Sequence, residues 1–259
     1  MVQIGREVNL SSRGERPPIA SPWPSAAVTV IERTGSTMDD CLALGLRGEP
    51  SGTAVVAGFQ ERGRGRAPGR HWLSPPWESL LMTVLLRAAE LDFPVSQLPL
   101  RVGLAVSRAV GEATGSEPGI RWPNDAVLAG RKVAGILCEA HGGLLLAGIG
   151  VNCLQRSFPA EIAATAGSLL LATGRRVPPL ELCPVVLVRL REALGDDDWR
   201  VGVERRLAGR GGRVRVDPIG PGAAVEGTAL GVDADGALLV RDDTGAIRRV
   251  TQGEISGCR

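Results

Sequence analysis

The chain has 259 residues, 44% hydrophobic and 22% charged, which suits one large globular domain or a domain with a small companion. A formal net charge of +2 is too small to argue for nucleic-acid binding by bulk electrostatics, and no apolar run reaches the ~18 residues that cross a bilayer. The N-terminus lacks the apolar run of a secretory signal, so the expectation is a cytoplasmic protein with no membrane and no nucleic-acid partner. Five cysteines without a CxxC pair read as free thiols. His71 and His141 are far apart and lack cysteine neighbours at ligand spacing, so no residue is assigned to a metal. With three Phe and no Tyr, the core must be built from Leu, Val, Ile and Ala.

Residues 1–25 are polar and proline-rich and read as an irregular or disordered arm. Val28–Ile31 is a first strand. Ser36 or Thr37 then caps a short helix, with Asp39 and Asp40 in its first turn and Gly48 beyond its end. Thr53–Phe59 is a second strand, followed by a Gly- and Arg-rich loop at 60–71. Ser79–Leu86 is almost continuously apolar, as a strand buried on both faces requires. Pro99–Thr114 has helical spacing. Ile120–Trp122 is a short strand. Ala126–Leu128 and Lys132–Glu139 form a hairpin, and a second hairpin turns at His141–Gly143 into Leu144–Asn152. Helical stretches are expected near Ala160–Ala172 and Cys183–Leu207. After Gly212, apolar and polar residues alternate between turn signals, which predicts a small β-barrel-like module. The fold class is therefore α+β, a mixed sheet with helices followed by an all-β module.

Lysine occurs once, at Lys132; the other 29 of the 30 basic side chains are arginine. Lysine is a compact ammonium that a planar guanidinium does not replace. It stands on the partner strand of a hairpin from Asn124 and Asp125, which could cap a turn, hold magnesium or activate an amine. The loop 60–71 places Arg62, Arg64, Arg66 and Arg70 among three glycines. Glycine lets backbone approach an anion, and arginine forks hold carboxylate and phosphate oxygens. The Gly-Lys-Ser/Thr ending of a P-loop is absent. Asn152, at the end of an apolar strand, is either a strand terminus or a side-chain amide that reads adenine.

Gly63-Arg-Gly-Arg66 with Trp72, Arg121-Trp-Pro-Asn-Asp125, Lys132-Val-Ala-Gly-Ile-Leu137 with Glu139, and Gly148-Ile-Gly-Val-Asn152 together resemble the motif set of biotin–protein ligases. Ser36-Thr37 matches the early substrate motif, with Met38 where asparagine is familiar. The stretches at 235–240 and 253–256 resemble the family's SH3-like C-terminal domain. The resemblance implies a catalytic domain over 26–209, related to class II aminoacyl-tRNA synthetase cores, and an SH3-like domain over 210–259. It implies activation of biotin by ATP to biotinyl-5′-AMP, with Mg²⁺, then transfer to a lysine of a biotin carboxyl carrier protein.

By that resemblance Lys132, Asp125 and Arg66 are catalytic. Ser36, Thr37, Met38, Gln60, Arg64, Gly65, Arg66, Lys132 and Gly135 bind biotin. Gly63, Arg64, Arg66, Trp72, Asn124, Lys132 and Asn152 bind ATP. The arginine loop is one residue longer than the common form. About 25 residues precede the first strand, fewer than the winged helix of repressor relatives needs, so no DNA binding is expected. Monomer and homodimer both remain open. The rival readings are a lipoate–protein ligase and a non-catalytic biotin-binding regulator.

Overall fold

A computed structural model describes residues 18–67 and 69–258. A seven-stranded sheet runs in the order β1-β2-β3-β7-β6-β5-β4. Its strands are β1 (Val28–Thr34), β2 (Ala54–Gln60), β3 (Ser79–Arg87), β4 (Gly119–Arg121), β5 (Asp125–Leu128), β6 (Arg131–His141) and β7 (Leu144–Asn152). Only β1 and β2 pair in parallel, linked by the crossover helix α1 (Thr37–Leu46). All other pairs are antiparallel.

The apolar run of β3 is explained by cover on both faces. Leu80, Met82, Val84 and Leu86 join the main core beneath α2 (Leu98–Thr114) and α4 (Pro179–Leu194), while Leu85 packs under α1. α1 starts where Ser36 caps it, its hydroxyl accepting from Met38 N at 3.3 Å. α2 stops at Gly115 in the left-handed conformation.

Two helical expectations need correction. The stretch expected over 160–172 is helical only in α3 (Leu169–Thr173), and 160–165 is a chain of turns. Local turn bonds run as far as Ala166, whose N donates to Ile162 O at 2.8 Å, and the chain then joins β6: Lys132 N donates to Thr165 O at 2.7 Å and Gly167 N to Lys132 O at 2.8 Å. Ser168 then caps a new start, accepting from Leu171 N. The stretch expected over 183–207 is two helices, α4, which begins earlier at Pro179, and α5 (Trp199–Arg206). Gly195 ends the first, and Asp196 accepts from Asp198 N in the break.

The C-terminal strands are β8 (Arg213–Asp217), β9 (Val225–Val232), β10 (Leu238–Arg241), β11 (Ile247–Val250) and β12 (Glu254–Cys258). They form one antiparallel sheet in the order β11-β10-β9-β8-β12. Its apolar face meets Leu100 and Leu104 of α2, Trp199 and Val203 of α5, and Trp122. Trp122 Nε1 donates to Gly236 O at 3.0 Å, so the β4–β5 turn is fastened to this module.

Of the arm expected at 1–25, residues 1–17 lie outside the described residues. Residues 18–25 are irregular but docked: Ile19 and Trp23 pack against the main core, and Ser21 Oγ donates to Gly52 O at 3.3 Å. Gly52, at φ +88°, leaves the space that Trp23 fills, since a Cβ there would lie 2.3 Å from the indole. Trp23→Ala should therefore lower the free energy of unfolding by about 1–3 kcal/mol in a urea titration. An unchanged midpoint would show that this contact adds nothing to the fold.

Candidate active site

Three glycines make a flat floor on neighbouring strands. Gly135 faces Gly150, and Leu137 faces Gly148, across the β6–β7 pair. A Cβ on Gly150 would lie 2.7 Å from the Trp72 indole, one on Gly135 2.9 Å from it, and one on Gly148 3.1 Å from Met38 Sδ. Only glycine lets these two side chains lie against the sheet. Trp72 is delivered by the Gly–Arg loop, which folds into a small antiparallel finger. Trp72 N donates to Gly63 O at 3.0 Å, and Gly65 N to Arg70 O at 2.9 Å.

The cleft so formed, a cavity of about 70 Å³, gathers eleven residues singled out in the sequence: Ser36, Thr37, Met38, Gln60, Arg64, Gly65, Arg66, Trp72, Asn124, Lys132 and Gly135. One end is polar and neutral. Gln60 Oε1 accepts from Thr37 N at 2.8 Å and Thr37 Oγ1 at 2.9 Å, and Thr37 Oγ1 meets Thr83 Oγ1 at 2.8 Å. The other end is cationic. Lys132 Nζ stands 2.6 Å from Asp125 Oδ1 and 5.9 Å from the centre of the Trp72 ring. Asn124, fixed by Nδ2 donating to Ile136 O at 2.7 Å, holds the β5–β6 hairpin shut beside them.

Arg66 Nη2 donates to Gly253 O at 2.7 Å and lies 3.6 Å from Glu254; Arg70 pairs with the same carboxylate at 2.9 Å. The arginine loop is thus tethered to the C-terminal sheet. Burial pushes the Arg66 guanidinium below its usual range, against the pull of Glu254 and Asp125. Burial also works against the charge on Arg64, but Asp39 at 2.6 Å and Glu139 outweigh it and hold that group up.

The cleft has donors to spare. Arg66 Nε and Trp72 Nε1 are buried and meet no acceptor among the described residues. An ammonium has three donors, and the Asp125 ion pair engages one side of Lys132. Buried donors without partners mark a place where an acceptor-rich ligand sits. Thiolate chemistry is a poor candidate here, because burial pushes Cys41, Cys138, Cys153 and Cys183 up to about 12.

Residues 30–155 match the Biotin/lipoate A/B protein ligase family, and 211–256 match the Biotin protein ligase C terminal domain. A biotin–[acetyl-CoA-carboxylase] ligase of Mycobacterium tuberculosis is 33% identical over 87% of this chain and 87% of its own length. The chain belongs to the biotin protein ligase family. The bifunctional ligase/repressor of Bacillus subtilis is 31% identical over 85% of this chain and 70% of its own. The biotin protein ligase of Aquifex aeolicus, solved with biotin and ATP, superposes with a TM-score of 0.78 at 31% identity, covering 88% of this chain and 97% of that one.

Three of the residues to which the resemblance gives a site role do not line this ligase cleft. Gly63 lies behind it, where a Cβ would meet Trp72 O at 2.7 Å. Asp125 stands behind Lys132, and Asn152 is buried beyond the floor, its Nδ2 donating to Gly167 O at 2.9 Å. Two contributors escaped the sequence reading. Thr83 is the one hydroxyl inside the apolar stretch Leu80–Leu86, a signal that was there to read. Glu254 acts on a loop far off in sequence, which no local pattern reveals.

Glu254→Ala should free the loop without unfolding the chain. Trypsin should cleave after Arg66 and Arg70 several-fold faster, while unfolding free energy falls by no more than about 1 kcal/mol, as for partly exposed ion pairs. Unaltered cleavage would show that something else holds the loop.

Proposed function

We propose that the chain is a biotin–protein ligase, which activates biotin with ATP and transfers it to a lysine of a biotin carboxyl carrier protein. The observation that carries the reading is the surplus of donors over acceptors in a cleft with a neutral hydrogen-bonding end. Both substrates of the first step are anions, and they must be brought together against their repulsion. A carboxylate oxygen of biotin attacks the α-phosphorus of ATP, the bond to the β-phosphate breaks, and pyrophosphate leaves. Lys132 bridges the carboxylate and the α-phosphate with the donors Asp125 does not take, and Arg66 Nε meets the phosphate. Thr37 and Gln60, with Ser36, hold the neutral ureido end.

In the second step the lysine amine attacks the acyl carbonyl of biotinyl-5′-AMP, AMP departs, and Asp125 takes the proton of the incoming amine. A larger cavity of about 550 Å³ at the seam with the C-terminal sheet shares Arg66 and Asn124 with the cleft, and it is the entry proposed for the acceptor lysine. Magnesium enters with the nucleotide, since that ion takes substrate phosphates with one or two carboxylates. Among the described residues no cluster of three or more His, Cys, Asp and Glu side chains stands ready to hold it alone. Among them, too, no helix is long and apolar enough to cross a membrane. The cytoplasm is the compartment proposed for the reaction.

The test is biotin-dependent release of pyrophosphate from ATP. Lys132→Arg keeps the charge but sets a broad plane where an ammonium fits. It should lower release by ~10²–10³, the usual loss for one transition-state contact, and Lys132→Ala at least as far. Added biotinyl-5′-AMP should partly restore carrier labelling. Near-wild-type release by Lys132→Arg would remove the bridging role, and release that follows lipoate instead of biotin would move the reading to a lipoate ligase. Arg66→Gly should let the adenylate escape and label a lysine-rich bystander protein. A bystander left unlabelled would show that Arg66 does not retain the intermediate.

A further inference from the structure

A ligase that makes an acyl-adenylate holds a reagent that acylates any neutral amine it meets, its own included. This chain has a single side-chain amine, that of Lys132. Its other basic side chains are guanidinium groups, which keep their protons and are no nucleophiles. Lys132 lines the cleft. As the bridge between the biotin carboxylate and the α-phosphate, it touches oxygens on both sides of the bond that forms. Its nitrogen is then within hydrogen-bond reach of an acyl oxygen, near the ~3–3.5 Å of a near-attack geometry. Effective concentrations at such range reach about 10⁵–10⁸ M, so even a small neutral fraction of the amine would react.

The fold sets a carboxylate against that reaction. Asp125 Oδ1 lies 2.6 Å from Lys132 Nζ. This oxygen is buried and accepts no hydrogen bond from elsewhere among the described residues, so it serves the ammonium alone. Arg66, the other cation at this end of the cleft, has Glu254 at 3.6 Å for its own partner. The strands enforce the pairing. Gly135 faces Asp125 across β5 and β6, and a Cβ on it would lie 3.2 Å from Lys132 Cε and 3.3 Å from Nζ. The lysine stem therefore runs flat over a glycine and ends at the carboxylate. Thr165 O and Gly167 N hold its backbone at the other end.

We infer that Lys132 is the chain's own acylation site and that the Asp125 carboxylate keeps it unmodified, so that the ligase does not biotinylate itself. The inference rests on the ligase activity proposed above. An ammonium held in an ion pair has no electron pair to give. Without the carboxylate, the ammonium loses a proton to water and the neutral nitrogen attacks the acyl carbon of biotinyl-5′-AMP. The N–C bond forms, the bond from that carbon to the phosphate oxygen breaks, and AMP leaves with the electron pair. The nitrogen sheds one further proton to water. The product is an uncharged biotinyl amide, which can no longer bridge two anions, and the ligase is spent.

The single lysine supplies the readout. A lysine-specific endoproteinase cuts the denatured chain once, into 1–132 and 133–259. Acylation of Lys132 abolishes that cut, whereas acylation of the terminal amine does not. Wild type and Asp125→Asn are incubated with saturating synthetic biotinyl-5′-AMP and no carrier, with binding checked by calorimetry. Loss of the cut is timed, and intact mass identifies the added biotinyl group. Asp125→Asn should lose the cut at least ~10-fold faster than wild type, since an opposite charge at contact favours the charged form of a base by an order of magnitude or more. Asp125→Glu keeps the carboxylate and should stay within about threefold of wild type. Asp125→Ser takes the place of the amide variant if that chain does not fold. A carboxylate that only positioned Lys132 would leave it free of biotin when lost. A variant that binds the adenylate yet keeps its cut therefore overturns the inference, as do wild type or Asp125→Glu acylated at the rate of Asp125→Asn. Pyrophosphate release by the wild type with biotin and ATP is measured beside these. If none is released and the adenylate does not bind, the ligase reading falls and the inference with it.

Discussion

The ion pair between Lys132 and Asp125 is the point on which the molecule turns. It brings together, at 2.6 Å, the ammonium of the chain's one lysine and a carboxylate from the opposite strand of a short hairpin. Both side chains are partly exposed, so the pair adds at most about 1 kcal/mol to stability. Its worth lies in placement. The β5–β6 pairing sets the separation, Asn124 closes the hairpin from within, and Thr165 and Gly167 pin the Lys132 backbone on both sides. A flexible four-carbon stem is costly to order in a reaction, and this frame orders its root beforehand.

The second constraint is a long-range one. The arginine finger would be a floppy run of glycine and arginine on its own. It is held at its base by Trp72 against Gly135 and Gly150, and at its tip by Gly253 and Glu254. The C-terminal sheet is therefore more than an appendage. It shares an apolar cluster with α2 and α5, anchors the turn before Asp125 through Trp122, and supplies the carboxylate that two loop arginines share. A loosening of that sheet reaches the cleft by two routes.

Much of this was legible in the sequence because it is local. Hydrophobic alternation and glycine turns gave the strands and hairpins, and the isolation of Lys132 among arginines pointed to the cleft's cation. What stayed hidden depends on partners distant in the chain. The helix expected over 160–172 had acceptable spacing, but Thr165 and Gly167, which would continue its first turns, bond to Lys132 instead. The helix expected over 183–207 broke at Gly195, where Asp196 offers the backbone a different partner. The tie between Arg66 and Gly253 spans 187 residues. The position of Asn152 at the end of an apolar strand was legible, but its neighbourhood of Ser79, Gln155 and Gly167 assembles only in three dimensions.

A chain with one lysine offers a direct view of its central group. Growth on ¹⁵N-labelled lysine gives a single side-chain ammonium signal in the NMR spectrum, that of Lys132. This signal should shift when Asp125→Asn removes its partner. A second, saturable shift should follow when a non-hydrolysable analogue of biotinyl-5′-AMP is added, with the same affinity that calorimetry gives. An ammonium signal that stays still while the analogue saturates the protein would place the ligand away from Lys132 and contradict the account.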